Sequence, residues 1–323
     1  MMMKGFEKVR EIRGKKYLFR VESSENHRDY LKYEELRNEV WGEPNDHMSG
    51  SRNMMCENFL HVGSSLFIGI FSEAEEGNFE HDKEHLVGVS YGFVGLKDKK
   101  IAYRKLGNLQ FYSQYTCVRP DFEHLGLGVM IKEFQRETLI ETFGIYTIIC
   151  TFDPLSGINA YRNIHHFGMD VFNYRVAFYG DFGGRLNRLD VPCDRFLVTW
   201  DLKKEKGKPE YGLEALVESG WMAVRAEKMT VEGQSGPVEL EVIEEINLDL
   251  DNEFLSIEIP VDFYTMLKET DVADDRVRSI PLEWRMKTRQ AFQTLFKKNF
   301  RIVDFKKMEK GNQARDFYIL KKD

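Results

Sequence analysis

Two glycines, Gly126 and Gly128, are separated by a single residue and lie just before a segment in which apolar residues recur at helical spacing. Because glycine has no Cβ, it lets backbone amides approach an anion closely. The start of a helix adds N–H groups without intrahelical partners and the positive end of the helix dipole. The glycines and the helix therefore predict a binding site for a phosphate or pyrophosphate group.

Two common phosphate-binding loops do not fit this turn. A Walker loop requires Lys followed by Ser or Thr after the second glycine, and no such pair follows Gly128. A dinucleotide fingerprint requires a third glycine at the position that Ile131 occupies. The turn is therefore neither a P-loop nor a Rossmann fingerprint.

The residues around the turn resemble motif A of the GCN5-related N-acetyltransferases (GNAT), a superfamily that binds acetyl-CoA. Val118-Arg119-Pro120 ends a strand-like run that begins at Leu109. Glu123-His124-Leu125-Gly126-Leu127-Gly128 stands in the register of the family's turn, in which Gln or Arg precedes G-x-G or G-x-A by three positions. Since Glu123 replaces that Gln or Arg, the backbone amides have to hold the anion. The alternative is a plain strand-to-helix turn.

The resemblance implies contacts with the acyl donor. In the superfamily, the strand before the turn separates from its neighbour, and the pantetheine arm of CoA pairs with backbone groups in the gap. The amide near Val118 would also face the thioester oxygen as it gains negative charge. The implied CoA-binding residues are Cys117, Val118, His124, Leu125, Gly126, Leu127, Gly128, Val129 and Asn159. The alternative role for Asn159 is a helix cap.

Predicted strands and helices between Lys16 and Leu202 follow the order β-α-α-β-β-β-α-β-α-β-β. This order resembles the arrangement of the superfamily, and the glycine turn falls where that arrangement requires it. Short motifs such as TFDPL at 151–155 resemble a little-characterised bacterial and archaeal branch of predicted acetyltransferases. We therefore predict an α/β chain with a mixed sheet, a GNAT acyl-CoA acyltransferase fold, and a smaller C-terminal α+β region.

The composition changes after Leu202, where a run rich in charged residues, Gly and Pro begins. We predict a GNAT-like acyl-CoA-binding domain over 1–202, a linker over 203–210 and a C-terminal α+β region over 211–323. The last region ends in a helix and two strands, as an acetyltransferase domain does, but has no G-x-G turn. It is interpreted either as a degenerate second GNAT-like half or as a cap on the first sheet.

Acetyl transfer to an amine needs a group that takes a proton from the nucleophile and profits from one that protonates the leaving thiolate. The candidates are Asp153, Tyr161, His165 and Tyr179. Asp153 follows a buried strand at its carboxyl end, where open sheets bind ligands; its alternative role is a loop cap before proline. Many family members place Tyr at the position of Ile164, so Tyr161 or Tyr179 would have to substitute.

A charged pair, Asp194-Arg195, directly precedes the apolar strand at 196–200. Because a guanidinium can hold a carboxylate through two parallel hydrogen bonds, this pair is a candidate site for a carboxylate-bearing acceptor. The alternative interpretation is that the pair anchors the preceding glycine-rich loop to the sheet.

The composition argues against several classes of function. The net charge of -7 and the lack of a basic stripe oppose nucleic-acid binding. No apolar run approaches the roughly 20 residues of a membrane helix, and the first residues lack the apolar core of a signal peptide. The four cysteines are widely spaced, which predicts no metal site and a reduced, cytoplasmic setting.

These patterns predict an acyltransferase that moves an acetyl group from acetyl-CoA directly to an unidentified small-molecule or protein amine. One alternative is a non-catalytic CoA-binding or regulatory module, because Glu123 and Ile164 depart from the family pattern. Another is a tandem enzyme with an aminoacyl-tRNA donor, which the acidic balance opposes. The sequence predicts neither the acceptor nor the oligomeric state.

Overall fold

The computed structural model describes residues 6–41, 50–60, 64–180, 186–204, 213–310 and 313–323. The chain forms two compact units. The first comprises Met1–Cys150 with Asp201–Lys203, and the second comprises Thr151–Trp200 with Lys204–Asp323. Most of the linker predicted over 203–210 lies outside the described residues.

This division differs from the predicted domains, because residues 151–200 group with the C-terminal residues. Two bidentate ion pairs, Asp153–Arg285 and Asp194–Arg289, join these segments inside the second unit. Their members lie 132 and 95 residues apart in sequence, so a change in composition could not reveal them. The second GNAT-like half stays a prediction.

The first unit contains a mixed sheet. Its strands are β1 (Glu7–Ile12), β2 (Lys15–Val21), β3 (Ser65–Ser72), β4 (Leu86–Leu96), β5 (Leu109–Val118) and β6 (Thr147–Phe152). They lie in sequence order, and β6 continues into the second unit. All neighbours are antiparallel except β5 and β6, which are parallel. The predicted mixed α/β fold is confirmed, and β1 adds a strand that was not predicted.

The tight turn between β1 and β2 consists of Arg13 and Gly14, which have φ values of 51° and 77°. Two consecutive residues with positive φ are typical of a type I′ hairpin turn, whose twist matches that of the flanking strands. This turn fixes the position of the hairpin tip and therefore of the Arg13 backbone.

Three α-helices belong to the first unit: α1 (Leu31–Trp41), α2 (Ser51–Leu60) and α3 (Leu127–Thr138). Shorter 3-10 segments occur at His27–Tyr30, Ala102–Arg104, Leu106–Asn108 and Pro120–Phe122, and a π-helical turn at Leu139–Phe143. Tyr33 and Leu36 of α1 are buried and pack with Phe67 of β3 and Tyr91 of β4. The helical spacing of Tyr33 and Leu36 predicts an apolar stripe, and this stripe is the contact of α1 with the sheet.

The second unit contains two sets of strands. An antiparallel pair is formed by β7 (Asp170–Arg175) and β8 (Arg195–Asp201). A second sheet contains β9 (Met222–Gly233), β10 (Gly236–Ile246), β11 (Phe254–Ile259), β12 (Phe300–Lys310) and β13 (Gln313–Lys322). Its order is β10-β9-β11-β13-β12, with only β9 and β11 parallel. The C-terminal α+β region is therefore confirmed.

The helices of the second unit are α4 (Gly157–Ala160), α5 (Leu213–Glu218), α6 (Phe263–Glu269), α7 (Asp275–Arg278) and α8 (Ile280–Lys297). A π-helical turn, Tyr161–His166, continues α4. In α8, five residues recur at helical spacing, which predicts one buried stripe, and the structure confirms it: Trp284, Thr288, Ala291, Phe292 and Leu295. Among the described residues, no helix has the length and apolar character needed to span a membrane.

Asp316 on β13 is a buried carboxylate in the second unit, and Lys307 Nζ lies 3.4 Å from its Oδ2. The carboxylate packs so closely on Gly157 that no Cβ fits there. Burial raises the pKa of Asp316 to about 6, although the Lys307 charge opposes this. Because the folded pKa exceeds the unfolded value, ionisation costs more in the folded state. The free energy of unfolding should fall between about pH 4 and 6, by up to about 3 kcal/mol.

The Asp316→Asn variant is expected to lose this decline, because an amide does not ionise. Urea unfolding at about pH 3.5 and pH 7 measures the free energy of unfolding on both sides of the transition. The exposed Asp251→Asn variant is the control and should keep the decline. The same pH dependence in wild type and Asp316→Asn would contradict this role of Asp316.

Candidate functional site

The glycine turn between β5 and α3 has an unusual backbone path. His124 and Gly126 have positive φ values of 63° and 80°. A Cβ built on Gly126 would meet no atom within 4 Å, so the backbone angle requires glycine and close packing does not. The residue faces open space, where a ligand could approach.

Five consecutive amides of this turn, those of residues 124–128, have no hydrogen-bond acceptor among the described residues. On one side, Glu123 N donates to Pro120 O at 3.1 Å; on the other, Val129 N donates to Gly126 O at 3.0 Å. Successive N–H groups in a turn with left-handed residues form a concavity that suits an anion. The start of α3 adds the positive end of its dipole to this cradle.

The cradle contains five of the predicted CoA-binding residues: His124, Leu125, Gly126, Leu127 and Gly128. Val129 was predicted to contribute its amide as well, but that amide is already bonded within the first turn of α3. The contact of Val129 with CoA stays a prediction. Sequence spacing could not show where the run of unbonded amides ends, because this depends on which amide closes the first helical turn.

Pairing between β5 and β6 stops early. It joins Phe111 to Ile148 and Tyr112 to Ile149, whereas β5 continues to Val118 while paired with β4. In the described part of the first unit, β5 therefore separates from β6 after Tyr112. The open length of β5 leads directly to the glycine turn.

The direction of the backbone groups distinguishes Val118 from Cys117. Arg119 N donates to Val87 O of β4 at 2.8 Å, and bonding groups alternate in direction along an antiparallel strand. The backbone groups of Cys117 therefore point towards β4, and those of Val118 point away from it. Val118 has the orientation that a ligand contact requires, whereas Cys117 does not.

Cys117 is buried in β5. Burial raises the pKa of its thiol to about 12, so the thiol is protonated at neutral pH and is no nucleophile. Cys150 and Cys193 are also buried, and all four cysteines are free.

In the second unit, Asp153 is buried in a bidentate ion pair. Arg285 Nη1 and Nη2 donate to its two oxygens at 2.8 and 2.5 Å, and Leu155 N donates to Oδ1 at 2.8 Å. Burial alone would raise the pKa of Asp153, but the charge and hydrogen bonds of Arg285 outweigh it and lower the pKa. A carboxylate held in this way is a poor proton acceptor, so the geometry favours a structural role.

Tyr161 and His165 lie together on the π-helical turn, with ring centroids 4.7 Å apart. His165 Nδ1 is 2.9 Å from Oδ1 of the buried Asp304 on β12. A carboxylate at this distance orients an imidazole as in many general bases. Asp304 could not be identified from the sequence, because it lies 139 residues from His165.

Tyr179 and Asn159 have polar partners of their own. Tyr179 Oη lies 2.7 Å from Thr151 Oγ1. Asn159 Nδ2 donates to Ser156 Oγ at 2.8 Å, and Asn159 Oδ1 accepts from Arg162 at 2.6 Å. Asn159 is not a helix cap, since Ser156 precedes the first residue of α4. Its contact with CoA stays a prediction.

Among the described residues, three side chains could hold a metal ion: Glu80, Asp82 and His85, whose ligand atoms lie within 4.8 Å of one another. His85 Nδ1 is 2.8 Å from Asp82 Oδ1, so these two groups already satisfy each other. The expectation that the protein binds no metal stays a prediction.

No protein-family model and no curated protein sequence matches the chain. Among solved structures, it is similar to Arabidopsis thaliana NAA60 in complex with acetyl-CoA, with 9% identity and a TM-score of 0.42 over 58% of this chain and 99% of that chain. It is also similar to the ribosomal-protein-S18-alanine N-acetyltransferase of Escherichia coli, with 11% identity and a TM-score of 0.39 over 61% of this chain and 99% of that chain. It is similar as well to an acetyltransferase of the GNAT family from Streptococcus pneumoniae, with 11% sequence identity and a TM-score of 0.40 over 57% of this chain and 97% of that chain.

Proposed function

We propose that this chain is an acyl-CoA-dependent acyltransferase of the GCN5-related N-acetyltransferase superfamily. The observation that carries the proposal is the run of unbonded amides at residues 124–128. The pyrophosphate of CoA offers several oxygens to such donors, and its negative charge suits the start of α3. The separation of β5 from β6 after Tyr112 supports the proposal, since it leaves backbone groups for the pantetheine arm.

In the proposed reaction, the acceptor nitrogen attacks the thioester carbon of acetyl-CoA. The N–C bond forms, the C–S bond breaks, the nitrogen loses a proton to a base and the thiolate takes up a proton. The Val118 amide would stabilise the negative charge on the thioester oxygen. Compared within the second unit, the carboxylate-held His165 is a better proton acceptor than the ion-paired Asp153.

Calorimetric titration with acetyl-CoA and CoA tests this proposal, together with mass spectrometry of an amine panel after incubation with acetyl-CoA. Saturable binding with acetylation of an amine is the expected result. Binding without any transfer would favour the non-catalytic CoA-binding module. This alternative is motivated by Ile164, which is buried and has no hydroxyl group where many family members place Tyr. No binding of either nucleotide would overturn the proposal.

Basic residues of the β1–β2 hairpin follow α3 along its length. Lys8 Nζ lies 2.9 Å from Glu137, and Arg10 contacts Glu133 and Glu137 at 3.3 and 2.9 Å. At the hairpin tip, Arg13 Nη2 donates to His124 O at 3.3 Å. Arg13 has no carboxylate partner among the described residues, so its charge lies unneutralised beside the cradle.

The Arg13→Gln variant is expected to bind CoA about five- to tenfold more weakly, because a charge-assisted hydrogen bond to phosphate is lost. Lys15→Gln, which removes a charge from an exposed residue of the same hairpin, is the matched control. Titrations with CoA and dephospho-CoA compare the two variants. An equal loss with both nucleotides indicates the pyrophosphate, and a loss with CoA alone indicates the 3′-phosphate. Unchanged affinity for both nucleotides in Arg13→Gln would contradict this role of Arg13.

A further inference from the structure

Two ion pairs in the second unit lie at the end of β6 and the start of β8. Asp153 is paired with Arg285, and Asp194 accepts from Arg289 Nε and Nη2 at 2.7 and 2.9 Å. Asp194 also accepts from Tyr174 Oη at 2.6 Å. Both carboxylates are buried and neutralised by guanidinium groups of α8.

Arg195 carries a third guanidinium, which interacts electrostatically with Asp153 of the Asp153–Arg285 pair. Among the described residues, it makes no ion pair within 4.0 Å. Its guanidinium lies 5.3 Å from the centre of the Tyr179 ring and beside the Cys193 thiol. The group formed by Asp153, Arg285 and Arg195 has one carboxylate and two guanidinium groups, and therefore one surplus positive charge.

The surplus charge is incompletely solvated by the protein. Arg195 Nε is buried without a hydrogen-bond partner. A buried donor without an acceptor is costly, and a charge without a counter-ion is more so. The Tyr179 ring that faces this guanidinium carries a hydroxyl group 2.7 Å from Thr151 Oγ1, at an exposed position. An oxyanion at this place would satisfy the guanidinium and could accept from a hydroxyl.

We propose that Arg195, with the hydroxyl groups of Tyr179 and Thr151, forms a binding site for the carboxylate of a small molecule. A planar carboxylate matches the fork of a guanidinium. A single negative charge also balances the surplus of one, whereas a dianion would leave the site with a net negative charge. The pair Asp194-Arg195 was interpreted either as a loop anchor or as a carboxylate site. In this proposal Asp194 anchors its loop through Arg289, and Arg195 binds the carboxylate.

This inference goes beyond the proposed acyltransferase function and does not depend on it, because the site lies within the second unit and its test needs no CoA. The probe is sodium acetate, compared with sodium chloride and sodium phosphate at equal ionic strength. Nitrogen-15 spectra follow the Arg195 Nε–Hε signal, identified by its loss in Arg195→Lys. The expected result is a saturable shift with acetate and no saturable shift with chloride.

Ligand-dependent thermal unfolding adds the variants, since a ligand that binds the folded state raises the midpoint. The acetate effect should disappear in Arg195→Gln and weaken at least threefold in Arg195→Lys, which keeps the charge but lacks the fork. Arg225→Gln, at an exposed and ion-paired position of the same unit, should behave as wild type. No saturable Nε–Hε shift, full acetate binding by Arg195→Gln, or tighter binding of phosphate than of acetate would each overturn the proposal.

Discussion

The Arg285→Leu variant is expected to unfold with a free energy about 3–5 kcal/mol below that of the wild type, because it leaves the Asp153 carboxylate buried without its counter-ion. The side chains of Arg285 and Asp153 are only 0% and 2% exposed, so water cannot replace the lost partner. The pair also ties residue 153 to α8, which makes it part of the second unit's core. The expected loss is therefore a large share of the stability of an ordinary domain.

Chemical denaturation measures this loss, with Arg225→Gln as a control in which an exposed ion pair is broken at a cost below about 1 kcal/mol. The Arg285→Leu/Asp153→Asn double variant should be more stable than Arg285→Leu alone, because the unpaired charge is removed. If Arg285→Leu does not fold, Arg285→Lys gives the comparison, with a smaller loss since it keeps the charge. Losses for both Arg285→Leu and Arg285→Lys no larger than that of Arg225→Gln would contradict the account of this pair.

The Gly126→Asp variant is expected to bind CoA about 10- to 100-fold more weakly than Gly126→Asn, because its carboxylate would stand beside the pyrophosphate. Asp and Asn have nearly the same shape, and both tolerate the left-handed backbone that Gly126 adopts better than most residues do. No atom lies within 4 Å of a Cβ there, so neither side chain disturbs the packing. The difference between the two variants therefore reports charge alone.

A carboxylate at the start of α3 is favourable in the absence of ligand, so Gly126→Asp should remain folded. Gly77→Asp is the matched control, since Gly77 also has a positive φ, 78°, and open space around it, but lies in the loop between β3 and β4. Calorimetric titration of all three variants with CoA gives the comparison. Equal affinities of Gly126→Asp and Gly126→Asn would show that no phosphate lies at this turn.

Sequence reasoning predicted the features that local patterns determine. The glycine turn, β5 and α3 follow from a β-branched run, two glycines and a helical period within thirty residues. The stripe of α8 follows from its 3.6-residue period. β1 and β9 were not predicted, because most of their side chains are exposed or half-buried and neither strand shows a sustained apolar pattern.

Contacts between distant residues could not be predicted from a single sequence. Asp153, the candidate base by position, owes its lowered pKa to Arg285, and His165 owes its orientation to Asp304. No sequence pattern near Asp153 or His165 predicts these partners. The roles of candidate catalytic residues thus depend on tertiary contacts, whereas the cradle is a property of one short segment.

The central claim is that the amides of the glycine turn bind the phosphates of CoA, and spectra of protein labelled with nitrogen-15 at glycine test it most directly. The signals of Gly126 and Gly128, among 25 glycines, can be assigned by their loss in single variants. On addition of CoA, these two amide protons are expected to shift downfield as they donate to phosphate oxygens, while glycines far from the turn, such as Gly77, stay in place. Binding of CoA without a shift of Gly126 and Gly128 would contradict the claim.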